Sequence, residues 1–174
     1  MNRYLSVATC IILALAAAAQ SQRQRWTEHT YPKDGFAIST PATVAVHEEP
    51  NGVRVYSIQI GRGSVFSIHV GETGASEIQC GAMLKSKHLR DQENQTQPIF
   101  PSTMKEINIS GHPGVAYENK MDVDQASYHV IWREYCIDNK GFFLGFFYPI
   151  NQPKPRVANR LLDSFHLLDK TAPQ

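Results

Sequence analysis

One short apolar segment most constrains what this chain can fold into. Residues 142–148 read FFLGFFY, so apolar side chains fall on both of the faces that alternate along a β-strand. A strand that is apolar on both faces has to be covered on both. We therefore predict that this segment is a strand at or near the centre of a sheet, with helices on each side.

Turn residues and β-branched residues alternate along much of the remaining chain, a pattern typical of consecutive antiparallel strands. The segments Pro50-Asn51-Gly52 and Gly61-Arg62-Gly63 suit hairpin turns, because proline presets φ and asparagine or glycine tolerates positive φ. The further strands predicted in this way are residues 35–40, 43–47, 53–60, 64–70, 104–109, 115–121 and 127–137.

Two helices complete the predicted elements. Residues 75–94 are rich in helix formers, although their apolar side chains do not form one clean stripe. The second helix follows Pro153 and Pro155, which suit a first helical turn, and it carries one broad apolar face. That face comprises Val157, Ala158, Leu161, Leu162 and Phe165. Strands and helices together predict an α+β fold.

The N-terminal segment predicts export. Residues 5–19 are apolar and uncharged, follow Arg3 and end in three alanines, which is the layout of a secretory signal with an A-x-A cleavage site. A helix that spans a bilayer needs about 20 apolar residues, so a cleaved signal is favoured over an uncleaved anchor. We predict a signal peptide at 1–19, a mature chain that begins at Gln20, and a periplasmic or extracellular location with no membrane span after cleavage.

The mature chain has the length of one domain. Removing 19 of the 174 residues leaves 155, which is enough to bury a core. Residues 20–25 are polar and are predicted to be a flexible lead-in, followed by a single domain at 26–170. Loss of Arg3 reduces the Lys and Arg count from 17 to 16, equal to the 16 Asp and Glu. A neutral chain lacks the basic surface that phosphate backbones require, so no nucleic-acid partner is expected.

Two cysteines remain in the mature chain, since Cys10 leaves with the signal peptide. In an oxidising compartment Cys80 and Cys136 are candidates for a disulfide, which would close a long loop. Two separate buried thiols are the alternative, because geometry decides pairing and the sequence does not show geometry.

Residues 26–41 carry a resemblance to a known family. They read WTEHTYPKDGFAISTP and resemble the opening hairpin of PsbP-like and Mog1-like proteins, in which an aromatic residue precedes D-G-F-x-I and a proline. The similarity continues through the glycine turn at 111–114, the aromatic strand at Phe142 and the closing amphipathic helix with Phe165. The chain departs from the pattern at Thr40, where an aromatic residue is common.

The resemblance implies a small exported bacterial-type member of that superfamily. Its fold would be an α/β/α sandwich with a mainly antiparallel central sheet and flanking helices. Members are usually described as binding or assembly factors without catalysis, which act on photosystem subunits, on a small GTPase or on unknown partners in bacterial envelopes. Since fold analogy does not give function, no partner-binding residue is carried over.

Histidines are the candidate material for a metal or acid/base site. Metal sites usually show close pairs, such as two histidines at i and i+4 of a helix or i and i+2 of a strand, and no such pair occurs. Nucleophile elbows, H-E-x-x-H, C-x-x-C and phosphate-loop patterns are also lacking in the sequence. We therefore predict no catalytic, cofactor-binding or metal-binding residue. The histidines considered are His47, His69, His88, His112, His129 and His166.

The sequence is consistent with two hypotheses for the function, one a binding protein and the other an enzyme. The first is a non-catalytic exported binding or accessory and assembly protein of the cell envelope, with an unknown protein partner. The alternative is a small exported hydrolase with an unrecognised histidine-containing site. For the first, exposed anchors are expected, and Trp26, Tyr31 and Arg62 are the candidate binding patch. Ordinary packing at the rim, and a solvated turn for Arg62, are the competing interpretations of these residues.

Overall fold

The computed structural model describes residues 25–61, 63–76, 79–82, 84–86, 104–123 and 125–169. The predicted signal peptide, Arg62 and the C-terminal half of the predicted helix 75–94 lie outside the described residues. The described residues form two β-sheets and a helix near the C-terminus. The strands are β1 Thr27–Tyr31, β2 Phe36–Thr40, β3 Ala45–Glu48, β4 Arg54–Ile60, β5 Ser64–Glu72, β6 Lys105–Ile109, β7 His112–Val123, β8 Ala126–Ile137, β9 Lys140–Pro149 and β10 His166–Leu167, and the helix is α1 Val157–Ser164.

The large sheet has seven strands in the order β3-β4-β5-β9-β8-β7-β6, and every neighbouring pair is antiparallel. The small sheet has the order β1-β2-β10. Residues 79–82 and 84–86 are also helical, and we call them the cysteine helix. The mainly antiparallel sheet is therefore confirmed, and the described helices are compatible with the predicted α+β class. Within the described residues, no helix is both long and apolar enough to cross a bilayer.

The apolar segment 142–148 lies in the middle of the large sheet. β9 is the fourth of the seven strands, between β5 and β8, so its predicted central position is confirmed. Phe146 and Leu144 are fully buried on one face. Phe143 and Phe147, on the other face, are half-buried, so the two faces of β9 are covered to different extents.

The main core lies between one face of the large sheet, the small sheet and α1. Alternate residues of the strands point into it, which is the burial that a period of two requires. α1 contributes its apolar stripe and begins later than Pro153, where the sequence placed the start of the helix. The core comprises Phe36, Ile38, Tyr56, Ile58, Phe66, Ile68, Val70, Ile131, Tyr135, Ile137, Phe142, Leu144, Phe146, Tyr148, Ala158, Leu161, Leu162 and Phe165.

A buried carboxylate fixes the hairpin between β1 and β2. The Tyr31 carbonyl accepts hydrogen bonds from the backbone N–H groups of Asp34 at 3.0 Å and Gly35 at 2.9 Å, and Gly35 has φ of +80°. The Asp34 carboxylate is 7 % exposed and accepts hydrogen bonds from the Arg54 guanidinium and the Tyr56 hydroxyl. The D-G-F motif therefore joins the small sheet to β4 of the large one.

Some boundaries differ from the predicted ones. β1 was not among the predicted strands, although the resemblance implied an opening hairpin. β7 begins at His112 rather than at residue 115, because the turn before it needs only two residues. Those residues, Ser110 and Gly111, have φ of 51° and 91°, as tight hairpins with the native strand twist require.

Candidate functional site

The face of the large sheet opposite the main core, which we call the reverse face, carries a cavity of about 680 Å³. Its walls come from β5, β7, β8, β9 and the cysteine helix. We call the whole of it the aromatic cavity, and three aromatic rings, two aliphatic or thioether side chains and one buried carboxylate are prominent in its lining. These residues are Tyr117, Trp132, Phe143, Leu84, Met121 and Glu134.

Strand register brings the aromatic side chains together. Glu134 of β8 lies opposite Phe143 of β9, and Trp132, two residues earlier on the same face, lies opposite Tyr117 of β7. Ring centroids of Tyr117 and Trp132 are 6.3 Å apart in a stacked arrangement. Because side chains two residues apart share a face of a strand, this grouping follows from the pairing of β7, β8 and β9.

Trp132 is held in place by contacts on several sides. Its indole N–H donates a hydrogen bond of 3.0 Å to the side-chain oxygen of Asn119, which is 1 % exposed. Its ring meets Phe147 edge to face at 5.4 Å. Beneath it lies Gly145, where an added Cβ would come within 2.8 Å of the indole ring. The indole is therefore a fixed wall rather than an adaptable surface side chain.

Glu134 forms the buried polar floor of the cavity. It is 2 % exposed, and the Tyr117 hydroxyl donates a hydrogen bond to its Oε1. Keeping a carboxylate away from water costs folding free energy unless partners offset the lost hydration. The residue is therefore unexpected on a sheet face whose neighbouring side chains are largely aromatic.

A disulfide joins the cysteine helix to the sheet beside this floor. Cys80 is bonded to Cys136 of β8, with the two Cα atoms 5.9 Å apart. Both cysteines are buried and form a second apolar cluster with Leu84, Val115 and Tyr117. The bond therefore anchors the helix that supplies Leu84 to the cavity wall.

His69 of β5 lies opposite Phe143 of β9 and lines the same cavity, as do Glu49 and Glu72. Burial lowers the pKa of His69 below its ordinary value of 6.5. The charge of His47 lowers the pKa further, whereas the charge of Glu49 raises it. The folded state therefore favours the neutral imidazole.

This shift predicts a pH dependence of stability. In the unfolded chain His69 binds its proton near its ordinary pKa, whereas the folded chain takes it up only at lower pH. The free energy of unfolding should therefore fall as the pH falls through 6.5. Urea midpoints between about pH 8 and about pH 5 measure this slope, and His69→Gln should flatten it. An equal slope in wild type and variant would contradict the assignment to His69.

The structure places the predicted surface residues elsewhere. Trp26 is half-buried, and the Arg160 guanidinium lies 3.9 Å from its ring centroid. Tyr31 packs on Phe36 and Tyr56, with centroid distances of 5.0 Å and 4.4 Å. Trp26 directly precedes β1 and Tyr31 is the last residue of β1. Neither residue lines the aromatic cavity, and Arg62 lies outside the described residues. Whether they form a binding patch stays a prediction.

The histidines are spread over the fold. His47 is exposed on β3, His129 stacks on Tyr148 at 5.3 Å, and His166 lies 3.9 Å from Glu28, while His88 is outside the described residues. Across the described ranges, no three His, Cys, Asp or Glu side chains are grouped so that they could hold a metal ion.

The cavity residues were missed at the sequence level. The sequence contains one signal of a buried polar site. Glu134 lies between Trp132 and Cys136 on one face of a predicted strand, and both of these neighbours are apolar or weakly polar. Side chains on a strand next to the sheet centre are covered by neighbouring elements, so a carboxylate there becomes a buried charge. Its aromatic neighbours on β7 and β9 depend on register, which the sequence alone did not specify.

Comparison with solved structures shows a PsbP-like fold. Cyanobacterial PsbP from Synechocystis has a TM-score of 0.54 and 13% identity, with 85% of this chain and 95% of that chain covered. A Bacteroides thetaiotaomicron protein has a TM-score of 0.55 and 12% identity; the match covers 84% of this chain and spans half, 50%, of that protein. A Pseudomonas aeruginosa protein of unknown function has a TM-score of 0.50, 11% identity and coverage of 86% and 98%.

No family model and no curated protein matches the chain by sequence. The likeness to the solved structures is therefore one of fold alone.

Proposed function

We propose that this chain is a non-catalytic, exported accessory protein of the cell envelope or secreted space that acts by binding. The partner is a protein still to be identified, and the aromatic cavity is the binding site. One observation carries the proposal, namely the buried Glu134 carboxylate enclosed by Tyr117, Trp132 and Phe143 in a cavity of about 680 Å³. Ligand sites are typically cavities of this size, mostly apolar with a few placed polar groups.

The energetic cost of Glu134 supports this interpretation. An apolar side chain would fill a sheet face at no desolvation cost, whereas a buried carboxylate has to be offset by partners. A placed polar group in a mostly apolar cavity is typical of a ligand site. The rigid position of Trp132 adds a second feature of binding sites, because a fixed aromatic wall loses little conformational entropy on binding.

We also infer the finer architecture that the resemblance implied, an α/β/α sandwich within the PsbP-like and Mog1-like superfamily. Its support is that α1 packs into the main core on one face of the large sheet. The cysteine helix packs through Cys80 and Leu84 on the reverse face.

The proposal is tested by recovering partners from the native compartment with wild-type and variant protein. Trp132→Ala should lose the partner, since it removes a cavity wall. Trp26→Ala should retain it, and it is a matched control because Trp26 and Trp132 are the two tryptophans of the chain. The complex should then form again from purified components. Mass spectrometry of the exported form should find an N-terminus at Gln20.

Three outcomes would contradict the proposal. Loss of the partner only with Trp26→Ala or Arg62→Ala would move binding to the surface patch predicted from the sequence. Equal recovery with every variant would remove the aromatic cavity as the site. Turnover of a generic ester, peptide or phosphate substrate that is abolished by His69→Ala would favour the hydrolase alternative. Denaturant midpoints measured for each variant separate loss of binding from loss of folding.

A further inference from the structure

We propose that the aromatic cavity binds an alkylammonium group, that is, a monovalent organic cation with compact apolar substituents. The inference rests on the binding function proposed above and adds the chemical class of the bound group. That group belongs either to a small molecule or to a side chain of the protein partner, and both present the same chemistry to the cavity.

The charges around the cavity favour a cation. Its lining includes the carboxylates of Glu49, Glu72 and Glu134, and no lysine or arginine occurs among the described lining residues. Burial lowers the pKa of His69 and so disfavours its charged form. A lining of one sign attracts a ligand of the opposite sign and repels one of the same sign. An anionic ligand would therefore be rejected.

The rings explain why the cation should be organic. The face of an aromatic ring carries negative charge density and attracts a cation placed over it, and cages of such rings are a known device for ammonium groups. Tyr117 is hydrogen-bonded to Glu134, Phe143 lies opposite Glu134 on β9, and Trp132 lines the same cavity. A cation bound beside the carboxylate would therefore lie near these rings. Methyl or methylene substituents would bury their apolar surface against Leu84 and Met121.

The same geometry disfavours the two competing ligand classes. A metal ion needs several oxygen, nitrogen or sulfur ligands that converge on it, and no three His, Cys, Asp or Glu side chains of the described residues are grouped in that way. A neutral apolar ligand carries no charge opposite to that of the cavity lining, so the carboxylates would not favour its binding. An alkylammonium group offsets the carboxylate and fills apolar space at once.

The experiment uses Trp132 fluorescence in the mature chain. Trp26→Phe leaves Trp132 as the single tryptophan, because the sequence has two. We would titrate this protein with choline and with 3,3-dimethylbutan-1-ol, a neutral molecule of the same shape in which carbon replaces the charged nitrogen. Choline should change the Trp132 emission and bind at least about tenfold more tightly than its neutral counterpart, consistent with the strength of cation–ring contacts.

Glu134→Gln is the matched charge variant. The glutamine side-chain oxygen can still accept the Tyr117 hydrogen bond, so the fold and its denaturant midpoint should hold while the preference for choline disappears. Glu118→Gln is the control, since Glu118 lies on β7 but pairs with Lys154 at 3.1 Å on the opposite face. It should leave choline binding unchanged. Phe143→Leu, which keeps an apolar side chain, should weaken choline more than the neutral molecule.

The outcomes separate this inference from the proposed function. Equal affinity for the two molecules, or no binding of either, overturns the alkylammonium inference, whereas the proposed function is decided by partner recovery with Trp132→Ala. If choline binds selectively and displaces the recovered partner, the ammonium group belongs to that partner. If it binds selectively without displacing it, the ligand is a free small molecule. Both of these results support the inference.

Discussion

Replacing Phe146 with alanine should lower the free energy of unfolding by about 3–5 kcal/mol. Phe146 is fully buried on the central strand β9, directly between Phe66 of β5 and Ile131 of β8. Its ring is enclosed by side chains from several strands, so the surrounding core can collapse only partly into the space that alanine leaves. The lost burial and the remaining cavity both contribute to the cost.

Two other positions serve as controls for this prediction. Phe147→Ala, one residue along β9 on the reverse face, removes a ring that is half-buried and should cost less. Val46→Ala lies on the edge strand β3, where the side chain is 50% exposed, and should change stability by at most about 0.5 kcal/mol. Denaturant midpoints of the three variants show which substitution lowers stability most. A Phe146→Ala midpoint as close to wild type as that of Val46→Ala would contradict the central burial of β9.

The strands of the large sheet could be predicted because their signal is local. Alternating side chains and turn residues place residues 53–60 and 64–70 within a residue or two of β4 and β5. The central position of β9 followed from its two apolar faces, which no edge strand could bury. Local periodicity thus determined which segments extend and which of them lies innermost.

Pairing partners and lateral order were not predictable in the same way. β9 lies between β5 and β8, and β5 precedes it by more than sixty residues. That neighbour is chosen by the packing of the whole core rather than by any nearby residue. β1 was missed because only Tyr31 and His29 of its five residues are half-buried, so it lacks a clear apolar alternation.

The candidate site depends on this long-range pairing. Trp132 and Glu134 are near in sequence, but Tyr117 and Phe143 join them only through the registers of β7 and β9 with β8. Ligand spacings among histidines and cysteines are local patterns that a sequence can show. A cavity built from aromatic residues on three strands leaves no such pattern, so it emerged only with the structure.

Removing the disulfide should produce the second large effect. The bond joins Cys80 to Cys136 across a sequence separation of 56 residues, and the chain-entropy treatment of a loop of that length gives a loss of about 4 kcal/mol. Reduction should also loosen the cysteine helix, which packs on β7 and β8 through the cluster of Cys80, Leu84 and Tyr117. Because Leu84 belongs to the aromatic cavity, choline binding should weaken together with stability.

The measurement compares denaturant midpoints of the mature chain with and without a reductant. Reduced wild type should unfold at the midpoint of the double variant Cys80→Ala/Cys136→Ala, which itself should not respond to reductant. Thiol labelling of the unreduced, denatured wild type should find no free thiol, because the third cysteine of the chain, Cys10, is removed with the predicted signal peptide. Two reactive thiols per mature chain, or a wild-type midpoint that reductant does not move, would contradict a structural bond and leave the cysteine helix held by apolar contacts alone.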